Sequence, residues 1–302
     1  METRLHIPVL LHEIIREIHI KDGGSYLDGT LGLGGHAVEI FLNHEKKIKV
    51  IGFDKDKEAL QVAEKKLKDV GADPILFNDS FANIKECLQG SNIGFVDAIL
   101  FDLGVSSLQL DSNDRGFSFR TDSPLIMTLD SDSHKAIFNA YDVVNIWEEE
   151  HLSDIIFGYG EERFAKKIAK AIVLAREGKP IKTTFELRDI VEKAVPLWYR
   201  HRKIHPATKT FQAIRIAVND ELGTLERGLR NGFDVLSPGG VFLVISFHSL
   251  EDRIVKRIFS EWVSKKEGML VYKKPIVPKD EEIDFNKRAR SAKLRIFKKS
   301  VV

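Results

Sequence analysis

The stretch SYLDGTLGLGGHA (residues 25–37) runs from a short apolar segment through a glycine-rich turn into a helix-patterned segment, and it decides the fold prediction. Gly32, Gly34 and Ala37 fit the spacing of a dinucleotide-binding turn, in which alanine can replace the third glycine. A strand, a glycine turn and a helix in this order bring a ligand close to the backbone at the amino end of the helix. The stretch therefore predicts a ligand-binding α/β domain, and Asp28, the residue before the glycines, bears on which ligand it holds.

The chain around this stretch alternates β-rich apolar runs with helix-patterned segments. Runs that are apolar on both faces and separated by helices indicate a parallel sheet covered on both sides. Right-handed crossovers then give a doubly wound, Rossmann-like α/β fold with a mostly parallel sheet. The predicted strands are residues 25–28, 48–54, 74–78 and 96–103, and the predicted helices are residues 37–44, 57–70 and 82–88.

This alternation stops after Leu103, and residues 108–207 carry amphipathic helix patterns without a comparable strand. One of them opens with a capping box, Thr183 followed by Glu186. We therefore predict a domain of residues 1–107 and 208–302 that is interrupted by an inserted all-helical substrate-recognition domain, residues 108–207. After the insertion the α/β pattern returns, and it begins with a long predicted helix marked by Phe211 to Leu229 and a break at SPGG (237–240). A strand at 241–247, a helix at 251–263 and an edge strand at 293–299 are predicted to follow.

Composition places the chain among globular proteins of a reducing compartment. Of its 302 residues, 43% are hydrophobic and 30% charged, which is a typical globular balance. The lone cysteine, Cys87, excludes an internal disulfide framework. The amino terminus is a poor signal peptide, and the longest apolar runs are too short to span a bilayer. We expect a cytoplasmic protein that does not enter a membrane.

Basic residues cluster in two places although the net charge is only +1. KRARSAKLRIFKK (287–299) carries seven Lys or Arg and no acid, and YRHRKIH (199–205) carries three more. A solvated face explains one such cluster as well as a binding surface does. Two clusters in a nearly neutral chain favour a polyanionic partner such as a nucleic acid.

Acidic residues follow the predicted strands, at the edge where open α/β sheets bind their ligands. Asp28, Asp54, Asp79 and Asp102 take these positions. A dinucleotide would bring its pyrophosphate beside Asp28, and two like charges ~4 Å apart near a surface cost on the order of 4 kcal/mol. S-adenosylmethionine carries a sulfonium and an ammonium group and no phosphate. The charge pattern therefore favours S-adenosylmethionine as the cofactor, unless Asp28 only caps the following helix.

Two residues at strand ends are candidates for catalysis. Asp102 is placed to hold the cationic end of the cofactor or to accept a hydrogen bond from an attacking amine, although a turn residue is the simpler reading. His248, flanked by serines after the 241–247 strand, is a candidate for contacting substrate or accepting a proton, or else a structural histidine. The sequence has no metal-ligand spacing and no nucleophile elbow, so we expect no metal.

Eight strings in order, covering nearly the whole chain, resemble the bacterial RsmH (MraW) methyltransferases. The resemblance implies a class I S-adenosylmethionine fold with a helical insertion, and methylation of N4 of cytidine 1402 in the decoding centre of 16S rRNA within the small subunit. The strings are HIPVLLHE (6–13), DGTLGLGGH (28–36), DLGVSS (102–107), RGFSF (115–119), YGEERFAKKIA (159–169), ATKTFQAIRIAVNDEL (207–222), ISFHSLEDRIVKR (245–257) and RARSAKLR (288–295).

The resemblance also implies which residues contact the cofactor. Phe81 fits an apolar wall for adenine, and Asp54 fits an acceptor for ribose hydroxyls. The segment TDSPLIMTLD (121–130) departs from the family pattern, so no role is carried over for it. The full set of implied cofactor contacts is Gly34, Gly35, His36, Asp54, Phe81, Asp102 and Gln109.

Three other readings stay open on the sequence. The first is a methyltransferase with another acceptor, such as DNA, a different RNA or a protein; the basic tail argues for RNA. The second is a dinucleotide oxidoreductase, which Asp28 disfavours. The third is a non-catalytic RNA-binding protein, against which the intact Gly34, Asp54 and Asp102 speak. The oligomeric state is not indicated.

Overall fold

The computed structural model describes residues 8–104, 115–130 and 138–301. These residues divide into two compact units: the first takes the chain up to Gly104 and again from Leu222, and the second takes the part between them, up to Glu221. Among the described helices, none is both long enough and apolar enough to cross a membrane.

A seven-stranded sheet forms the centre of the first unit. Its strands are β1 (Ser25–Asp28), β2 (Lys49–Phe53), β3 (Ile75–Phe77), β4 (Val96–Asp102), β5 (Leu236–Ser246), β6 (Gly268–Leu270) and β7 (Lys293–Lys299). Their order is β3-β2-β1-β4-β5-β7-β6. Strands β1 to β5 run parallel, and β7 lies antiparallel between β5 and β6. This arrangement confirms the predicted Rossmann-like fold of class I S-adenosylmethionine-dependent methyltransferases.

The described helices follow the chain order, with a short 3₁₀ turn at Phe81–Asn83 before the fourth and another at Lys287–Ser291 after the last. They are α1 (Leu11–Glu17), α2 (Gly35–Asn43), α3 (Lys57–Asp69), α4 (Ile84–Gly90), α5 (Ala140–Ile146), α6 (Glu149–Gly158), α7 (Ala165–Gly178), α8 (Thr184–Ala194), α9 (Leu197–Arg200), α10 (Ala207–Asn219), α11 (Glu221–Val235), α12 (Ser249–Ser264) and α13 (Asp280–Phe285).

Helices cover both faces of the sheet, because alternate strand residues point to opposite sides. Tyr26 belongs to a core shared with residues of α1, α2 and α3. Its neighbour Leu27 belongs to the opposite core, shared with α4, α11 and α12. Burial on both faces explains why the strands read as continuous apolar runs rather than as alternating ones.

The second unit has a core of its own, built from helices α5 to α10. Ile156, Ile168 and Leu187 are fully buried in it. Helix α8 begins with the predicted capping box: the Thr183 side chain accepts the Glu186 N–H, and the Glu186 side chain accepts the Thr183 N–H.

The helix predicted to run from Phe211 to Leu229 is wrong as a single helix. The chain turns at Asp220, whose φ of 45° is left-handed, so α10 ends and α11 begins there. Phe211 packs into the core of the second unit, whereas Leu225 packs against the sheet. An apolar stripe of unbroken helical period does not show that its two halves face different cores. The units therefore divide at Glu221 and Leu222, later than the predicted change at residues 207 and 208.

The prediction of an edge strand at residues 293–299 is also wrong in its position. β7 covers those residues but is internal, since the short strand β6 pairs along its outer side. Three residues such as Gly268–Leu270 are too few to show a periodic pattern. The helix before SPGG (237–240) ends at Val235, as predicted. SPGG itself lies within β5. The pairing of β5 with β4 shifts in register between Val96 and Ala98 of β4.

Candidate active site

The carboxyl ends of three neighbouring strands carry aspartates. β1 ends at Asp28 and β4 at Asp102, and Asp54 directly follows β2. Since β1 lies between β2 and β4, these three side chains are brought to one edge of the sheet. Asp79, after β3, accepts instead from the N–H of Ser80 and the amide of Asn83, within its own turn.

Asp28 is buried and held by two residues close in sequence. The Tyr26 hydroxyl donates to Asp28 Oδ2 over 2.9 Å, and the Thr30 N–H donates to Oδ1 over 3.1 Å. Burial raises the pKa of the Asp28 carboxyl to about 6, although the hydrogen bonds from Tyr26 and Thr30 oppose the rise. Asp28 does not cap a helix, because the residue before α2 is Gly34. The cap reading of Asp28 is therefore wrong.

The glycine turn needs its glycines for backbone shape and close packing. Gly34 precedes α2 with φ 77°, a left-handed conformation in which a side chain is strained. A Cβ at Gly35 would lie 2.9 Å from Pro8 Cγ. The turn is fixed to β2, since the Gly32 N–H donates to Asp54 Oδ2 over 2.7 Å. The other carboxylate oxygen of Asp54, Oδ1, accepts the Asp56 N–H. Asp54, which is the predicted acceptor for the ribose hydroxyls, therefore also holds the glycine turn through Gly32.

His36 lies at the start of α2 and faces Asp102. The ring is buried, and its Nε2 donates to the Val9 carbonyl oxygen over 2.9 Å. Its Nδ1 lies 3.7 Å from Asp102 Oδ2. The His36 side chain therefore links the chain before α1 to the end of β4.

Asp102 combines burial with an unsatisfied oxygen. Its Oδ1 is shielded from solvent and has no hydrogen-bond partner among the residues that the structure describes. Burial, together with the negative charges of Asp28 and Glu251, raises the pKa of the Asp102 carboxyl to about 8. The Asp102 backbone N–H donates to Thr30 Oγ1 over 2.6 Å, so Thr30 ties the ends of β1 and β4 together.

Phe81 begins the 3₁₀ turn after β3 and borders an aromatic cluster. Its ring centroid lies 4.6 Å from that of Phe101. Helix α11 comes so close that a Cβ at Gly228 would lie 2.3 Å from Phe81 Cδ2. The Phe81 ring is half-buried, as a wall for adenine needs. The other implied contact, Gln109, lies outside the described residues.

His248 begins α12 as its N-cap. Its Nδ1 accepts the Glu251 N–H over 3.4 Å, and the Glu251 side chain accepts the N–H groups of Phe247 and His248. His248 Nε2 lies 3.2 Å from Glu251 Oε1. An imidazole whose Nδ1 accepts a backbone N–H carries its proton on Nε2 when neutral. Nδ1 therefore serves the helix cap, whereas Nε2 is shielded from solvent and makes no hydrogen bond among the described residues, so the catalytic role of His248 stays a prediction.

The sequence analysis missed three residues of this site, Tyr26, Thr30 and Glu251. Thr30 stands two residues after an aspartate, the spacing of an Asx turn, and could have been found from that signal. Glu251 stands three residues after His248, which is capping-box spacing with an unusual first residue. Tyr26 gave no signal, because one tyrosine in an apolar strand is typical of a core.

This edge of the sheet suits a cation better than a phosphate. The pKa values of Asp28 and Asp102 are raised, so ionisation of both is costly in the free protein. A positive group beside them would offset that cost, whereas a pyrophosphate would add to it. The sulfonium and ammonium groups of S-adenosylmethionine therefore suit this acidic edge of the sheet. This geometry disfavours the dinucleotide reading.

Comparisons with known proteins agree with this reading. The model of the MraW methylase family matches residues 3–300. A Ribosomal RNA small subunit methyltransferase H from Acetivibrio thermocellus is 47% identical over 311 residues, covering 97% of this chain and 98% of the relative. Relatives of the same name are 45% identical in Carboxydothermus hydrogenoformans, over 97% of both chains, and 44% identical in Clostridioides difficile, over 97% of this chain and 98% of the relative. This chain therefore belongs to the MraW methylase family.

Proposed function

We propose that this protein transfers a methyl group from S-adenosylmethionine to the exocyclic N4 amine of a cytidine in the decoding centre of 16S rRNA. Membership of the family makes the chain an S-adenosylmethionine-dependent methyltransferase, as the sequence predicted. The names of the relatives refer to small-subunit rRNA, which supports the acceptor class. The choice of cytidine N4 rests on the motif resemblance, and a cytoplasmic location follows from such an acceptor.

The observation that carries the proposal is the unsatisfied Oδ1 of Asp102. A buried carboxylate oxygen without a donor is costly, and sites that keep one commonly use it on a ligand. The amine of cytosine offers an N–H donor of the required kind. A hydrogen bond from that N–H to Asp102 Oδ1 would orient the nitrogen lone pair away from the carboxylate.

Asp102 is also our candidate for taking the amine proton. When bound, S-adenosylmethionine would supply an electrophilic sulfonium methyl, and the N4 lone pair would bond to it as the sulfur–carbon bond breaks. The nitrogen would then be cationic and would have to lose a proton, which the Asp102 carboxylate could accept. A proton acceptor works best when its pKa lies near the working pH, and burial holds that of Asp102 at about 8.

The remaining predicted site residues are assigned to holding the cofactor. Gly34 and Gly35 let it approach the backbone, Asp54 takes the ribose hydroxyls, and Phe81 lines the adenine. His36 positions Asp102 through the contact at 3.7 Å. Gln109 remains a proposed contact, and we propose the helical unit for substrate recognition.

The test is methyl transfer to small subunits purified from cells that lack this enzyme, with the product nucleoside identified by mass spectrometry. We expect N4-methylated cytidine with the wild type and at least a 100-fold lower kcat with Asp102→Ala, the scale of a lost general base. Asp79→Asn is the matched control, since it alters a strand-end acid whose oxygens accept from Ser80, Asn83 and Cys87. A methylated nucleoside other than N4-methylcytidine would refute the proposed acceptor.

A further inference from the structure

Aromatic rings and cationic side chains alternate on one surface of the helical unit. The surface is formed by Arg163, Phe164 and Lys167 at the start of α7 and by Trp198 and Arg202 around α9, and the buried ring of Tyr199 lies beneath it. We call these six residues the α7–α9 platform. Trp198 is 54% exposed although it is one of the largest apolar side chains of the chain. An exposed tryptophan among cations commonly marks an interaction surface.

The cations of the platform lie against the rings. The Arg163 guanidinium carbon lies 4.9 Å from the Phe164 ring centroid and 5.3 Å from that of Trp198. That of Arg202 lies 5.6 Å from Trp198 and 5.1 Å from Tyr199. Lys167 Nζ lies 5.9 Å from the Phe164 ring. Both guanidinium groups therefore meet the same exposed indole.

The charge of the platform is not neutralised by carboxylates at its surface. Arg163, Arg202 and Lys167 form no ion pair with an acid in the part of the chain that the structure describes. The adjacent carboxylate, Glu162, is fully buried. Glu162 accepts hydrogen bonds from the Tyr199 hydroxyl over 2.6 Å and from the Phe164 N–H over 2.9 Å. These two bonds hold the rings of the platform in position from the buried side. Lys166, Lys170, His201 and Lys203 are exposed and extend the positive surface.

We infer that the α7–α9 platform binds single-stranded RNA, with a base on the Trp198 ring and phosphates on Arg163 and Arg202. Stacking on an aromatic ring and ion pairing with phosphates are the two contacts that proteins use for unpaired strands. A protein partner would also cover the indole, but the concentration of cations around it favours a phosphate backbone. The inference rests on the proposed function, since it takes RNA as the substrate.

The first test is binding of a fluorescein-labelled single strand of about 15 uridines, measured by anisotropy at several salt concentrations. We expect Trp198→Ala to weaken binding about tenfold, the scale of one lost base stack, with an unchanged salt dependence. Trp198→Phe keeps a ring and should stay within about twofold of the wild type. The double variant Arg163→Gln/Arg202→Gln should lower the slope of log K against log salt by about 1.4, because each phosphate contact on a single strand contributes about 0.7.

Matched controls come from the same unit. Arg188 also lies over a ring, Phe185, at 4.0 Å, but it is paired with Asp189. Phe157 is 67% exposed and lies outside the platform. Arg188→Gln and Phe157→Ala should bind the oligonucleotide as the wild type does. Circular dichroism and S-adenosylmethionine affinity, unchanged in all variants, would show that each protein is folded.

The results separate this inference from the proposed function. If the platform variants and the controls all bind the oligonucleotide as tightly as the wild type, the inference is overturned. The outcome of the methyl-transfer assay is independent of this result. The inference is also overturned if the wild type does not bind the single strand. It is overturned as well if the platform variants lose binding to small-subunit proteins but keep binding to RNA. If the inference holds, the platform variants raise KM for small subunits more than they lower kcat.

Discussion

Three aspartates of the same edge differ in what surrounds them, and the surroundings decide their chemistry. Asp54 accepts two backbone N–H groups and braces the glycine turn. Asp28 is buried but satisfied by Tyr26 and Thr30. Asp102 is the one of the three that keeps an oxygen without a partner among the described residues. Because of this difference, we propose Asp102 as the residue on which binding and catalysis depend most.

The first prediction concerns the pH dependence of S-adenosylmethionine binding. Binding of a cation favours ionised Asp102, and burial holds the pKa of that carboxyl at about 8 in the free protein. The affinity should therefore increase as pH rises from 6 to 8, by at most about tenfold per pH unit, and level off above 8. Calorimetry across this range measures it. Asp102→Asn should bind more weakly and with little pH dependence over the same range; a wild-type affinity that is flat from pH 6 to 9 would contradict this prediction.

At the scale of elements, the start of α12 is held by a cap that two residues form together. His248 and Glu251 form a reciprocal capping box, in which each side chain accepts a backbone N–H of the other residue. Glu251 is buried and lies near enough to Asp102 to raise its pKa. The cap therefore influences the active site through charge while it holds the helix in place.

The second prediction separates capping from catalysis at His248. His248→Ala removes the cap and should lower the free energy of unfolding by about 1 kcal/mol. His248→Asn restores a good capping residue and should recover most of this loss, with kcat within about threefold of the wild type. Urea denaturation and the methyl-transfer assay measure the two effects. A large loss of kcat in His248→Asn, at normal stability, would instead support proton acceptance by the imidazole.

The third prediction concerns the approach of α11 to Phe81. A Cβ at Gly228 would lie 2.3 Å from Phe81 Cδ2 and 3.4 Å from Phe101 Cε2, so Gly228→Ala must displace the Phe81 ring. We expect a loss of about 1–3 kcal/mol in the free energy of unfolding and weaker cofactor binding. Gly158→Ala is the control at the end of α6, because its Cβ would meet nothing within 4 Å. Equal stability of the two variants in urea would show that Phe81 is not held by this contact.

At the scale of the whole molecule, the described residues form two units, and each has its own hydrophobic packing. The sheet of the first unit is enclosed by two apolar layers, and the second unit has its own layer of helices. The two acids whose pKa burial raises, Asp28 and Asp102, lie in the first unit. Their titration therefore acts on the stability of that unit.

The fourth prediction follows from linkage between protonation and folding. In the folded protein Asp28 and Asp102 keep their protons up to about pH 6 and 8, whereas an unfolded aspartate releases its proton near pH 3.9. Between these values the folded state binds more protons, so its stability falls as pH rises. The free energy of unfolding of Asp102→Asn, minus that of the wild type, should increase by about 4 kcal/mol between pH 5 and 8. Urea denaturation at both pH values tests this, and a constant difference would rule it out.

The sequence by itself determined the parts of this protein that depend on local pattern. Strands apolar on both faces, helical periods and a glycine turn fix the α/β fold, and the confirmed prediction reflects how strongly burial constrains residue type. The kinds of side chain at the strand ends also follow from sequence, because the end of each strand is visible in its pattern. Which of these side chains contact the cofactor stays a prediction.

Only the tertiary structure decided which of these side chains are satisfied and which are not. The surroundings of Asp102, with Thr30 after β1 and Glu251 of α12, are set by the order of the strands, and no periodicity records that. The turn at Asp220 separates two halves of one apolar stripe, and the platform joins Phe164 to Trp198 across a ring distance of 6.0 Å. Burial, charge coupling and surface clustering depend on distances in space, and residues far apart in sequence acquire those distances only when the chain packs.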